Sequence, residues 1–272
     1  MRFTKGHGTG NDFVVVPDPD GDLDLSPALV AALCDRRTGI GADGVLRVVL
    51  TAVVPEFAHL APDARWFMDY RNADGSLAQM CGNGARVYGR YLVDNGYQGA
   101  GPMALATRSG VRLLDVPAEG DIRVDMGPAR LVEGTRKVSL DGRSWTGTEV
   151  WVGNPHVVVA ESDLAGLGEV LTLPVLEPSM PANVEFVHVV RPGRMAMRVH
   201  ERGSGETASC GTGACAAAVA EAVWRGESGT DALVDVPGGR LRVSWADGIV
   251  TLLGPAEIVA HGVLDDRWLE AR

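Results

Sequence analysis

The chain repeats itself. Gly10-Asn11-Asp12-Phe13-Val14-Val15-Val16 is echoed by Gly153-Asn154-Pro155-His156-Val157-Val158-Val159, and Met80-Cys81-Gly82-Asn83-Gly84-Ala85 by Ser209-Cys210-Gly211-Thr212-Gly213-Ala214. Each asparagine phrase precedes its cysteine phrase, so the two pairs fall in one order, as an internal duplication requires. Two similar domains are expected, meeting near the turn signal Glu119-Gly120, with 1–120 on one side and 121–261 on the other. At 272 residues, 46% of them hydrophobic, the chain carries enough apolar material for two cores.

The cysteine phrases carry the chemistry. A cysteine followed by small residues and then a helical run sits where backbone N–H groups lack intrahelical partners and the helix dipole favours an anion. Cys81 and Cys210 are therefore candidate acid and base, and two such thiols flanking one carbon would make a racemase or epimerase. Cys34 and Cys215 read as buried small hydrophobes, Cys34 inside a helix and Cys215 on a different helix face from Cys210. Four cysteines are too few for a disulfide scaffold, and no second pair of soft ligands completes a metal site with Cys210 and Cys215. Only Lys5 and Lys137 could form a Schiff base, and neither lies in a convincing cofactor setting, so no organic cofactor is expected.

Strands are expected over 13–16, 45–50, 66–70, 111–116, 184–190, 195–200, 241–245 and 249–253, with a hairpin turn at Ala246-Asp247-Gly248 and another turn at Pro237-Gly238-Gly239. Ser26-Pro27 opens a helix through about Arg36, a second follows Cys81 as far as Asn95-Gly96, and a third covers 214–225. The third has hardly any polar face, so it should be buried nearly all round. The fold class is α/β of the α+β type: two pseudo-symmetric domains, each a curled, mostly antiparallel sheet around a central helix. Gly39-x-Gly41-x-x-Gly44 matches a dinucleotide-binding pattern literally, but it follows a helix and precedes a strand, the reverse of the required order, so it reads as a turn.

With Gly8-Thr9-Gly10-Asn11-Asp12-Phe13, Gly39-Ile40-Gly41-Ala42-Asp43-Gly44, Asn72-Ala73-Asp74-Gly75-Ser76, Cys81-Gly82-Asn83-Gly84-Ala85-Arg86, Gly153-Asn154-Pro155-His156, Asn183-Val184, Glu201-Arg202-Gly203 and Cys210-Gly211-Thr212-Gly213-Ala214 in one order, the chain closely resembles the diaminopimelate epimerases over nearly its whole length. These are cofactor-independent enzymes that interconvert LL- and meso-diaminopimelate in lysine and peptidoglycan precursor biosynthesis. The resemblance implies an active site in the cleft between the domains and a C-terminal strand, about 262–272, that returns to the first. It assigns Cys81 and Cys210 as opposed acid and base. Asn11, Asn72, Asn154, Asn183 and Arg202 carry over as substrate-binding residues, and His156 and Glu201 as auxiliary groups near the reacting amine. Charge building on the substrate carboxylate needs fixed donors, which the backbone N–H groups of Gly82, Asn83, Gly211 and Thr212 could supply. One departure is Gly44, where some members place a glutamine that touches substrate; Gly44 is left out of the site. The stretch 51–64 is longer than a minimal connection and suggests no function.

Two other readings compete. Proline or hydroxyproline racemase-like enzymes share the two-thiol logic but usually carry Met-Cys-Gly-His-Gly where this chain has Asn83. A thiol redox switch or binding protein would instead join Cys81 and Cys210 in a reversible disulfide. His7, His59, His188, His200 and His261 read as structural or surface residues. The net charge of −10 argues against nucleic acid, so a small solute is the expected partner. No apolar stretch approaches bilayer-spanning length and the first residues lack a secretory segment, which points to a cytoplasmic protein without a membrane partner. A homodimer is compatible with the chain.

Overall fold

The computed structural model describes residues 1–168, 174–202 and 204–272; Gly203, quoted above in the Glu201-Arg202-Gly203 motif, lies outside the described residues. By backbone proximity the chain divides into one unit of Met1–Val124 with Pro255–Arg272, and a second of Asp125–Gly254. The returning segment therefore starts several residues before the expected 262.

In the first unit β1 (Arg2–Gly8) and β2 (Asn11–Pro17) form a hairpin through Thr9 and Gly10, both at positive φ. The sheet continues through β3 (Gly44–Leu50), parallel to β2, then β4 (Trp66–Asn72), antiparallel to β3. Next come β5 (Gly101–Thr107), parallel to β4, and β6 (Gly110–Val116), which pairs antiparallel with both β5 and the start of β7 (Ile122–Pro128). α1 (Pro27–Cys34) packs on β3, while α2 (Gly82–Asp94) packs on β1, β2 and β6. In the second unit, β8 (Arg130–Leu131), β9 (Arg136–Leu140), β10 (Arg143–Val152), β11 (Asn154–Ala160) and β12 (Val175–Glu177) precede β13 (Asn183–Arg191), β14 (Arg194–Glu201) and β15 (Gly205–Thr207). α3 (Gly211–Trp224) follows, then β16 (Thr230–Val236), β17 (Gly239–Ala246) and β18 (Ile249–Gly254). Its sheet runs open, β12-β9-β10-β11-β13-β14-β16-β17-β18, parallel at β11–β13 and β14–β16 and antiparallel elsewhere. The last strand, β19 (Glu257–Val263), pairs with β1 in the first unit, and α4 (Asp266–Glu270) ends the chain.

The same logic encloses both central helices. Every residue of α2 from Gly82 to Leu92 is buried, as is every residue of α3 from Gly211 to Ala222. Strand alternation divides the sheet residues between two faces. In the first unit Val14, Val16 and Val45 join Val30 and Leu33 on the side away from α2, so Phe13 and Leu46 turn toward it. In the second, Val157, Val159, Val184 and Phe186 join Val138 and Leu140, which leaves His156, Asn183 and Glu185 on the α3 side.

All eight expected strands fall within observed ones. The hairpin turn Asp247-Gly248 takes positive φ at both residues, the geometry that matches strand twist. The first helix stops at Cys34, two residues earlier than expected, because Asp35 Oδ1 accepts from the Arg37 amide at 2.9 Å and the Ile40 and Gly41 amides fold back to the Leu33 carbonyl. The third starts at Gly211, three residues earlier, because Cys210 itself is the cap. At Gly39 a Cβ would lie 2.0 Å from the Ala32 carbonyl oxygen, so the glycine pattern there is a packed turn. The stretch 51–64 forms two short 3-10 turns whose Val54, Phe57 and Leu60 cover Val49, Phe67 and Ala106, with Phe57 stacked on Phe67 at 4.8 Å. Its role is packing. Among the described residues no helix is long and apolar enough to cross a membrane.

Candidate active site

In the first unit Cys81 caps α2, its sulfur accepting from the Gly84 amide at 3.4 Å. The Cys81 thiol donates to Asn11 Oδ1 at 3.6 Å, and Asn83 Nδ2 donates to the same oxygen at 3.3 Å. Asn11 is oriented by Asp43, whose Oδ2 accepts from Asn11 Nδ2 at 2.7 Å. That contact places the amide oxygen on the thiol side. Asp43 is held in turn by Arg36, which also grips Asp12. Arg86, fully buried, ties the helix start to its surroundings by donating to the carbonyls of Pro255 and Gly82 and to the Thr9 hydroxyl. Asn72 stands apart from this cluster, donating to Ser76 Oγ at 2.9 Å in the turn after β4.

The second unit repeats the cap with different neighbours. The Cys210 sulfur accepts from the Gly213 amide at 3.3 Å and from Asn183 Nδ2 at 3.8 Å, and lies 3.4 Å from the Thr212 hydroxyl. The Glu201 carboxylate stands near enough to act on this thiol through its charge, and it accepts from Thr207 Oγ1. Burial holds the Glu201 carboxyl above its ordinary range. Burial, then the charges of Glu201 and Glu185, push the Cys210 thiol well above the usual thiol range. His156 lies between Glu185, 2.7 Å from Nδ1, and Asn154 Oδ1, 3.0 Å from Nε2. Arg202 contributes its backbone N–H to Asn183 Oδ1 at 3.0 Å, while its side chain is exposed and forms no ion pair with Glu201 among the described residues. The amides of Gly82, Asn83, Gly211 and Thr212 lie in the first turns of α2 and α3, the usual setting for an anion at a helix start.

The other cysteines behave as the sequence suggests. Cys34 and Cys215 are buried, and burial pushes the Cys34 thiol up to about 12. Lys5 is taken by Asp12 and the Gly41 carbonyl, and Lys137 pairs with Glu177 at the surface.

Strand register makes the duplication quantitative. Phe13 lies beside Gly44 and Val15 beside Leu46, just as His156 lies beside Asn183 and Val158 beside Glu185. Phe13 thus corresponds to His156, Gly44 to Asn183 and Leu46 to Glu185. One strand further, Gly44 faces Asn72 while Val184 faces His200, which makes Glu201 the counterpart of Asn72. At Gly44 a Cβ would meet the Arg71 carbonyl oxygen at 2.5 Å and Tyr70 Cε2 at 2.7 Å, so this backbone has no space for a longer residue there. Sequence reasoning missed Asp43 and Glu185. The signal for Glu185 was its place two residues after Asn183 in a strand whose alternate residues are apolar; that for Asp43 was its position beside Gly44.

The glycines in the two first turns report on what lies beneath them. A Cβ at Gly84 would meet Leu46 Cδ2 at 3.3 Å and Phe13 Cζ at 3.5 Å, but at Gly213 it would meet Glu185 Oε1 at 2.6 Å and the Cys210 sulfur at 3.3 Å. Gly213→Ala should therefore cost about 1–3 kcal/mol of overpacking, and more than Gly84→Ala, as read by denaturant midpoints for the two variants.

Comparison with known proteins places this geometry in context. The family model for diaminopimelate epimerase matches residues 3–132 and 149–259. A diaminopimelate epimerase of Streptomyces coelicolor is 52% identical over 281 residues, covering 99% of this chain and 97% of its own. One from Thermobifida fusca is 50% identical, covering 96% and 97%. In fold, the chain is similar to a phenazine biosynthesis protein of the PhzF family from Bacillus anthracis, with a TM-score of 0.71 at 15% identity over 97% of this chain and 99% of that one.

Proposed function

From the premise that the chain belongs to the diaminopimelate epimerase family, we propose that it interconverts LL- and meso-diaminopimelate without a cofactor, using Cys81 and Cys210 as acid and base. One thiolate removes the α-proton and the other thiol delivers a proton to the opposite face of the same carbon, which inverts the centre. The pathway role is the supply of lysine and peptidoglycan precursors, in the cytoplasm, by the chain alone or as a homodimer. We read the unit of Met1–Val124 with Pro255–Arg272, and the unit of Asp125–Gly254, as the two epimerase domains.

The observation that carries this reading is the repeated half-site. Each unit sets a cysteine as the N-cap of its buried helix and bonds the sulfur to the third residue's amide, and an asparagine from a non-equivalent position meets each thiol, Asn11 through its oxygen and Asn183 through its nitrogen. An α-proton is a weak acid, so removing it without an electron sink requires donors fixed where the carboxylate charge grows. In this reading the helix-start amides of Gly82, Asn83, Gly211 and Thr212 meet that charge. Asn11, Asn72, Asn154, Asn183 and Arg202 recognise the remaining carboxylate and ammonium groups, and His156 and Glu201 stand by the reacting amine.

The test is proton NMR of the reduced protein with LL-diaminopimelate in deuterium oxide. Deuterium entering one α-position together with conversion to the meso form is the expected result. No exchange by folded, reduced protein overturns the assignment.

A further inference from the structure

Glu185 is a buried charge with no counterpart in the first unit. Beneath the first turn of α2 the equivalent positions are Phe13 and Leu46, and that helix is enclosed as fully as α3. An apolar pair therefore satisfies the fold. A buried polar pair is seldom more stabilising than well-packed hydrophobic residues of similar volume, because both groups must be desolvated. Here the pair is His156 and Glu185, each with its side chain wholly inaccessible. Among the described residues Glu185 Oε2 has no hydrogen-bond partner although it is buried, a condition uncommon in native proteins away from working sites. Its other oxygen is the atom nearest to where a Gly213 Cβ would be, so the glycine and the carboxylate fit each other.

We propose that Glu185 is a positioning residue of the epimerase site: its carboxylate holds His156 by Nδ1 and lies under the first turn of α3, keeping Cys210 as the proton-bearing thiol. The inference rests on the two-cysteine reading above. The groups facing Cys210 are Glu201 from β14, Glu185 and the Asn183 amide from β13, and Thr212 and the Gly213 amide from its own helix; His156 of β11 acts through Glu185. Two carboxylates beside one thiol disfavour its thiolate, and this agrees with the upward shift of Cys210. In the direction that uses Cys81 as base, Cys81 first gives its proton to solvent and then takes the α-proton that faces it, and Cys210 supplies the proton on the opposite face. The proton taken from substrate ends on Cys81 and the one given comes from Cys210, so the charges balance and no co-reactant is needed.

The deciding experiment combines two readouts on Glu185→Gln, which keeps an acceptor for His156 Nδ1–H but removes the charge. The first is thiolate ultraviolet absorbance against pH in a Cys81→Ser protein, minus the same protein also carrying Cys210→Ser; it isolates Cys210 and needs no turnover. Glu185→Gln should move that titration down by about one pH unit. The second is the pH profile of kcat and KM with diaminopimelate in both directions. Its alkaline limb, where the proton-bearing thiol is lost, should move down by the same amount, giving about tenfold lower kcat at alkaline pH with KM retained. The equilibrium constant fixes the ratio of kcat/KM between directions, so both directions must shift together. Glu185→Leu, which releases His156, should lose about ten- to a hundredfold at every pH. Folded Glu185→Gln protein whose Cys210 titration and alkaline limb stay in place overturns the proposal. If the unsubstituted enzyme fails to epimerise diaminopimelate, the functional reading falls, yet the absorbance titration still decides the role of Glu185.

Discussion

Cys81→Ser and Cys210→Ser each yield a folded protein in which conversion of LL- to meso-diaminopimelate drops by about 10²–10⁴-fold, the share of rate that a positioned acid or base contributes. Serine is the informative replacement because each cysteine also caps a helix, accepting from Gly84 or Gly213. A serine oxygen caps at least as well, so the helix start survives. Its hydroxyl is a far weaker acid than a thiol and cannot exchange protons with an α-carbon at neutral pH. Alanine removes cap and chemistry together and should cost about 1 kcal/mol of stability in addition. NMR conversion assays and denaturant midpoints on all four variants separate the two effects. Retention of near-normal epimerisation in either serine variant would exclude that cysteine as an acid or base.

Glu185→Leu should destabilise the protein by about 3 kcal/mol, where the cost of breaking a buried pair meets that of leaving a buried donor unmatched. Adding His156→Phe should return the stability to within about 1 kcal/mol of the unsubstituted protein, or above it, because the double variant installs the apolar pair of the first unit. Phe13 and Leu46 already fit beneath a glycine of the same first turn, which argues that the space accepts this pair. Denaturant midpoints at constant m-value give the comparison. The restored double variant should still fail to turn over substrate, since His156 and the charge beside Cys210 are both gone. A double variant as unstable as the single one would show that the pair stabilises the second unit in a way its apolar counterpart does not.

Local physics made the helix starts legible. Cysteine followed by Gly-x-Gly-Ala needs no distant partner to become a cap, because the acceptor and the free amides are neighbours along the chain. The alanine-rich run after Cys210 announced a buried helix for the same reason: a helix without a polar face must be surrounded. The end of α1 was read two residues late because Asp35 takes amides from the following turn, a side-chain competition that periodicity does not register. Arg202 is placed within its own unit through a backbone N–H to Asn183, a contact set by the ends of two paired strands, which sequence spacing does not register.

The two capping thiols and the asparagine phrases were determined by sequence alone, since each depends on residues a few positions apart, and the duplication was legible because both phrases recur in one order. The different floors under the two thiols were decided only by the tertiary structure. Glu185 reaches His156 because β11 and β13 pair in parallel across an intervening connection, and parallel neighbours are set by the whole sheet rather than by either strand. The same packing that lays Phe13 and Leu46 beneath α2 lays a histidine and a glutamate beneath α3, where burial, then Glu201 and Glu185, hold the Cys210 thiol above its ordinary range.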